Sequence, residues 1–186
     1  MPQYVALLRG INVGGHRVKM ERLRELFEEA GLKDVSTHIA SGNVIFTSRS
    51  TSINSLTSKI ERHLARSLGY DVPTFLRTPP ELEAVTTFPL PVAPGSPSST
   101  FSQYVIFLRS PASKELQDTF AGLHSEMDTF LFSEREIYWL IRGKLSQSPL
   151  FRSGFEKAIR GIPNTTRNMN MLRRLVARLM DESSPS

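Results

Sequence analysis

The chain has 186 residues, of which 39% are hydrophobic and 22% charged, a composition that excludes a disordered protein and allows one large domain or two small ones. The absence of cysteine excludes disulfides, thiolate metal sites and cysteine nucleophiles. The net charge is +5, and residues 142–180 contain nine Lys or Arg against Glu156 alone. This asymmetry favours an anionic partner, although a solvated basic helix would have the same composition.

Neither a membrane span nor a signal peptide is visible. No apolar stretch approaches the required length, and the N-terminal segment reaches Arg9 after only a few apolar residues. We therefore expect a cytoplasmic protein that does not contact a membrane.

An internal repeat divides the chain into two similar copies. The segment QYVALLRG at 3–10 returns as QYVIFLRS at 103–110. Periodicity then predicts the following elements in the first copy: helix 20–30, strands 35–40 and 44–48, helix 53–68 and an edge strand 71–76. The second copy is predicted as strand 103–109, helix 112–123, strands 128–132 and 136–142, and helix 148–160. The order β-α-β-β-α-β predicts an α+β fold of two tandem ferredoxin-like subdomains.

Helix signals and prolines divide the chain. Thr78 and Glu81 form a predicted capping box that opens a connecting helix. We expect a first subdomain at 1–88, a proline-rich connector at 89–101 and a second subdomain at 102–182. The second subdomain ends in a closing helix over 166–180. Strands that are apolar on both faces predict that each sheet is covered on both sides.

The first copy has a glycine-rich loop, GINVGGHRVK, after its first strand, at the point where the second copy enters its helix at once. Glycines permit positive φ and close approach of a ligand, and the following helix would direct its free amides there. The loop lacks the complete phosphate-loop and dinucleotide fingerprints. The alternative is that its glycines only solve a steric problem. The ligand-binding candidates here are Arg9, Gly10, Asn12, Gly14, Gly15, Arg17 and Lys19.

Ser41, Gly42 and Asn43 form a predicted hairpin turn, and turn chemistry alone accounts for them. They are further ligand-binding candidates because the corresponding turn in the second copy is Ser-Glu-Arg. We expect this turn at the end of the sheet where the first strand starts, away from the glycine loop. A single pocket within one subdomain is therefore not expected.

The predicted closing helix begins with a threonine N-cap, Thr165 or Thr166. An arginine at a helix N-terminus opposes the dipole, so Arg167 requires a carboxylate, a carbonyl or a ligand anion, and an internal salt bridge is favoured. Arg167 and Asn168 complete the ligand-binding candidates. A basic surface is predicted from Arg160, Arg173, Arg174 and Arg178.

Three ordered motifs carry a resemblance. RGINVGG near the N-terminus, SGNVIF at 41–46 and TRN at 166–168 resemble the bacterial family of domain of unknown function 1697. The resemblance implies two ferredoxin-like subdomains and no established activity, substrate or cofactor. The chain departs from the family pattern at Ala40 and Met169, where a glutamine and an aromatic residue are usual.

These patterns favour a protein that binds an anionic ligand, either a phosphate-bearing small molecule or a nucleic-acid backbone. One alternative is an enzyme acting on a small phosphorylated or carboxylated substrate, although no general base, catalytic residue, metal-ligand spacing or cofactor motif is visible. Another is a homodimer or a protein-interaction module.

Overall fold

The computed structural model describes residues 1–39, 42–91 and 101–183. The chain divides into two compact units, Met1–Glu83 and Ala84–Ser186. Each unit contains one four-stranded antiparallel sheet with helices. The architecture is thus mixed α+β and consistent with a duplication. Most of the predicted connector 89–101 lies outside the described residues.

The first unit is built around one central strand, which pairs with a neighbouring strand on each side. Its elements are β1 (Gln3–Leu8), α1 (Met20–Glu29), β2 (Lys33–Thr37), β3 (Asn43–Thr47), α2 (Ile53–Leu68), β4 (Thr74–Arg77) and the beginning of α3 (Pro79–Thr87). The strand order is β2-β3-β1-β4. Strand β4 lies at the edge, as Pro73 predicts, because proline cannot donate to a sheet ladder.

Local capping chemistry sets the ends of two helices in this unit. Helix α2 begins after Ser52, whose hydroxyl accepts the Ser55 amide at 3.4 Å, and ends at Gly69 with φ of 81°. At α3 the Thr78 amide donates to the Glu81 carboxylate at 2.7 Å, and the Glu81 amide donates to Thr78 Oγ1 at 3.4 Å. The predicted capping box is confirmed.

The core of the first unit lies between its helices and one face of its sheet. Helix α1 contacts α2 and β2, and α2 contacts β4. The main core residues are Leu23, Leu26, Phe27, Val44, Phe46, Leu56, Ile60 and Leu64. On β1, side chains of both faces are buried, Val5 and Leu7 as well as Tyr4 and Ala6. This agrees with the expectation that the strands are covered on both sides.

The second unit repeats the sheet with the order β6-β7-β5-β8. Its elements are β5 (Phe101–Leu108), α4 (Lys114–Ala121), β6 (Asp128–Ser133), β7 (Glu136–Arg142), α5 (Phe155–Ala158), β8 (Asn164–Asn168) and α6 (Met169–Ser183). Helix α6 contacts β5 and β8 and buries apolar side chains of Met169, Leu172, Leu175 and Leu179. In the described part of the chain, no helix is long and apolar enough to cross a membrane.

The predicted continuous helix 148–160 is wrong. A π-helical turn spans Leu150–Gly154, and α5 covers only Phe155–Ala158. Pro149 precedes the turn and Gly154 ends it, and both residues disfavour a regular α-helix interior.

The predicted start of the closing helix is also wrong. Thr165 and Thr166 lie in β8 and pair with β5, because β-branched side chains fit a pleated sheet as well as they fit a cap. Helix α6 begins at Met169, and its cap is Asn168, whose Oδ1 accepts the Asn170 amide at 2.9 Å. The capping role therefore belongs to Asn168.

Strand β8 is the second copy of β4. Val5 is opposite Arg77 in the first sheet, and Val105 is opposite Arg167 in the second. Val105 follows Val5 by 100 positions, whereas Arg167 follows Arg77 by 90. A search at one fixed repeat spacing therefore misses this part of the duplication.

A buried carboxylate fixes part of the second unit. Asp128 is fully buried and accepts hydrogen bonds from Trp139 Nε1 and Ser148 Oγ, both at 2.8 Å. The indole of Trp139 stacks between the rings of Phe130 and Phe155, with centroids 5.5 and 5.3 Å away. Asp128 thus ties β6 and β7 to the segment that follows β7.

We predict that Asp128→Ala destabilises the protein by about 2–4 kcal/mol, because two buried donors lose their acceptor. Denaturant unfolding followed by the fluorescence of Trp139, the single tryptophan, measures this. Asp118→Ala is the control, since the exposed Asp118 carboxylate pairs, among the described residues, with Lys114 four residues earlier and with no other cation. Equal midpoints for the two variants would contradict the prediction.

Candidate functional site

The glycine loop, residues 9–19, joins β1 to α1. Gly10, Gly14 and Gly15 have φ values of 80°, 59° and 89°, in the left-handed region that favours glycine. A Cβ placed at any of the three would meet no atom within 4 Å. The glycines are therefore required by backbone conformation, and open space lies in front of them.

The loop is braced from within and from its base. Asn12 Oδ1 accepts the Val18 amide at 2.8 Å, and the ring of His16 stacks on that of Tyr70 with centroids 3.8 Å apart. Ile11 and Val18 are buried. The Asn12 side chain thus has a structural role as a brace, and the loop is largely preorganised.

Hydrogen-bond donors and positive charge remain available on the loop. The amides of Gly14 and Gly15 donate no hydrogen bond to any described residue. Lys19 is the N-cap of α1, and its side chain caps no amide. Arg17 and Lys19 are exposed, whereas Arg9 is half-buried. Free helical amides together with cations are favourable for an anion.

The second unit closes the corresponding position. Between β5 and α4 the chain has only residues 109–113, and Ser113 Oγ accepts the Leu116 amide at 3.2 Å. Helix α4 is capped by its own sequence, whereas α1 is not. The fold therefore forms without the open loop.

The hairpin turn lies beside the glycine loop, so the expectation that they occupy opposite ends of the sheet is wrong. The Leu8 amide donates to the Gly42 carbonyl at 2.8 Å. A Cβ on Gly42 would lie 3.2 Å from Leu8 Cβ and 3.4 Å from Ile11 Cβ. The physical reason is that α1 reverses the chain, so β2 runs in the direction of β1 and the hairpin turns at the end of β1.

Two other residues of the hairpin, Asn43 and Ile39, differ in burial and in backbone conformation. Asn43 is buried, and its Nδ2 donates to the His38 carbonyl at 3.1 Å, which braces the turn. Ile39 is exposed with φ of 53°, a strained conformation for a β-branched residue. Ser41 lies outside the described residues.

Arg167 lies in the second unit with only 9% of its surface exposed. Its Nη1 donates to Thr165 Oγ1 at 2.7 Å and to the Thr166 carbonyl at 2.9 Å. Burial lowers the pKa of Arg167 to about 10, so the guanidinium remains charged at neutral pH. The carbonyl, one of the three partners expected for Arg167, is confirmed, and the favoured internal salt bridge stays a prediction.

Arg77, which sequence reasoning missed, repeats this arrangement. It is 1% exposed, and its Nη1 donates to the carbonyl of the preceding residue, Leu76, at 2.9 Å. Because both copies bury an arginine opposite the same valine position, the repetition favours a structural role for Arg167. The signal in the sequence was an arginine followed by a helix cap in each copy.

The predicted basic surface is only partly free. Arg173 donates to Gln103 Oε1 at 3.3 Å, and Arg178 pairs with the Glu182 carboxylate at 2.7 Å. Arg160 and Arg174 are exposed. All four belong to the second unit, whereas the glycine loop belongs to the first.

Residues 1–138 match the family described as protein of unknown function, DUF1697. The chain belongs to this family. A solved structure of the conserved bacterial protein SP0830 from Streptococcus pneumoniae is similar, with a TM-score of 0.73 and 25% sequence identity. The similarity covers 97% of this chain and 99% of that one. Among curated proteins, none matches the chain.

We predict that Gly42→Ala destabilises this DUF1697 protein more than Gly69→Ala. Both glycines have positive φ, which costs about 1–2 kcal/mol for alanine. Only Gly42 is packed, so its new methyl group adds about 1 kcal/mol or more of overpacking. Urea unfolding of both variants measures the difference. A larger effect at Gly69 would contradict the packing at the end of β1.

We predict that Tyr70→Phe leaves the protein equally stable or stabilises it by up to about 1 kcal/mol. The Tyr70 hydroxyl is buried without a hydrogen bond to any described residue, and burial raises its pKa. Removing an unsatisfied hydroxyl relieves its desolvation, while the ring stack on His16 is kept. Thermal unfolding measures the change, and a clear loss of stability would contradict it.

Proposed function

We propose that the first unit of this protein binds a small anionic ligand, carrying a phosphate or carboxylate, at the glycine loop. The observation that carries this proposal is the contrast between the two copies. Helix α4 is closed by Ser113, whereas α1 follows an open glycine loop and has no side-chain cap. Its first amides are therefore available to an external acceptor.

The charges near the loop support the proposal. Arg17 and Lys19 are exposed, and their side chains form no hydrogen bond or ion pair with a described residue. Glu21 lies in the first turn of α1, but its carboxylate is drawn to Arg24, 3.7 Å away. An anion in front of Gly14 and Gly15 would meet amides and cations at once.

A small ligand is favoured over a nucleic acid because the available donors are backbone amides at a single loop. Nucleic-acid affinity comes mainly from a basic surface along the phosphate backbone. In this chain, part of that surface is engaged within the second unit, since Arg173 and Arg178 have side-chain partners.

We also propose that both units are ferredoxin-like. The element order β-α-β-β-α-β and the strand orders β2-β3-β1-β4 and β6-β7-β5-β8 support this assignment. In such a unit the loop after the first strand and the central hairpin share one end of the sheet. The Leu8–Gly42 hydrogen bond supports that placement.

The test is thermal unfolding against inorganic phosphate, sugar phosphates, nucleotides, small carboxylates and short oligonucleotides, at low and moderate salt. A ligand at 100 times its Kd adds about 2.7 kcal/mol of stability. For a chain of this size the midpoint should rise by roughly 5–11 °C. We expect a shift with one small anion that survives moderate salt.

Variants test whether the anion binds at the glycine loop. Arg17→Gln combined with Lys19→Gln should reduce the shift of the unfolding midpoint. Arg109→Gln is the control and should leave that shift unchanged, because Arg109 belongs to the second unit, where it corresponds to Arg9. A shift only with oligonucleotides that fades with salt would replace the proposal by phosphate-backbone binding. If no anion shifts the midpoint, and light scattering gives twice the chain mass, an interaction role would replace it. Conversion of a bound anion would establish an enzyme.

A further inference from the structure

A second basic feature lies on the helical side of the first unit, away from the glycine loop in sequence. We call it the α2 groove. It has a volume of about 480 Å³ between the end of α1 and one face of α2. Its lining residues are Glu29, Ala30, Gly31, Lys59, Arg62, His63 and Arg66. Neither the family match nor the sequence motifs point to these residues.

The basic groups of the groove share one face of α2. Lys59, Arg62, His63 and Arg66 follow the spacing i, i+3, i+4, i+7, which places side chains in one row along a helix. At 1.5 Å per residue the row is about 10 Å long. Its length exceeds what one phosphate group needs.

The groove keeps most of its positive charge. Its only carboxylate among the lining residues, Glu29, accepts from Arg22 Nη1 at 2.7 Å and lies 3.4 Å from His63 Nε2. The hydrogen bond from Arg22 lowers the pKa of Glu29, which stays ionised and already partnered. The side chains of Lys59, Arg62 and Arg66 form no hydrogen bond or ion pair with any described residue.

Helix electrostatics explain two of these cations. A Cβ on Gly31 would lie 3.5 Å from Lys59 Nζ, so Lys59 lies at the C-terminal end of α1, where a cation is favourable. Arg66 lies in the last turn of α2, where a cation is likewise favourable, whereas Arg62 has no such role. The second unit, moreover, builds the same sheet with a four-residue α5 in place of α2, so the fold does not require the groove.

We propose that the α2 groove binds a small ligand with two or more linked phosphate groups. Its volume lies within the range of small-molecule pockets, and its row of cations can contact more than one phosphate. A long polyanion is disfavoured because the row of cations is only about 10 Å long, and because α1, which forms the other wall, carries the exposed Glu28, whose carboxylate pairs with no described residue. This site is independent of the ligand proposed for the glycine loop.

The experiment is a titration of the ¹⁵N-labelled full chain with pyrophosphate and with tripolyphosphate, followed by amide chemical shifts. We expect saturable shifts at Gly31 and along α2. The double variant Arg62→Gln/Arg66→Gln should weaken binding about tenfold or more, because each loses a charge-assisted hydrogen bond. Lys33→Gln removes an exposed cation of the same unit outside the groove and should change the Kd less than about twofold.

Glutamine is a good helix former, so the double variant should keep the wild-type melting temperature, which circular dichroism checks. Four results would overturn the proposal. They are the absence of saturable shifts, an equal loss in Lys33→Gln, tighter binding of a single-stranded oligonucleotide through the same arginines, and shifts at Gly14 and Gly15 with none at Gly31. The last result would leave the glycine-loop proposal standing, so the two sites fail separately.

Discussion

The end of β1 is the constraint on which the rest of the first unit depends. The Leu8 amide bonds to the Gly42 carbonyl at 2.8 Å on one side, and the Arg9 amide bonds to the Pro73 carbonyl at 2.9 Å on the other. Both neighbouring segments are thereby fixed to the last residues of the central strand. The glycine loop leaves from this platform, and Ile11 continues the packing against Gly42. A loop with a fixed base loses less conformational entropy when it binds, which is the advantage of preorganisation.

Elements whose signals are local could be predicted from the sequence. Helix α2 is bounded by Ser52 and Gly69, and α3 by the capping box at Thr78, so in each case a few neighbouring residues fix the boundary. The positive φ of the loop glycines likewise follows from residue type, since glycine adopts that region without steric cost. The role of the loop as an anion site does not follow from these signals and stays a proposal.

Features that depend on distant pairing could not be predicted in the same way. Thr165 and Thr166 suit a helix cap as well as a strand, and only the pairing with β5 decides between them. The position of the hairpin turn required the direction of β2 after α1, which no local pattern contains. The sequence contains the spacing of Lys59, Arg62 and Arg66, but the wall opposite this row comes from α1 and depends on the packing of the two helices.

The duplication separates what the fold needs from what it does not. Each copy contains one buried arginine, Arg77 in the first and Arg167 in the second. Each donates to the carbonyl of the preceding residue, so this arginine belongs to the requirements of the shared sheet. The glycine loop and the α2 groove occur in one copy only, and the other forms the same strand order without them. Open glycines and unpaired cations both cost stability or leave it unimproved. Because the second unit shows that the fold can omit them, their presence in the first unit supports the two binding proposals.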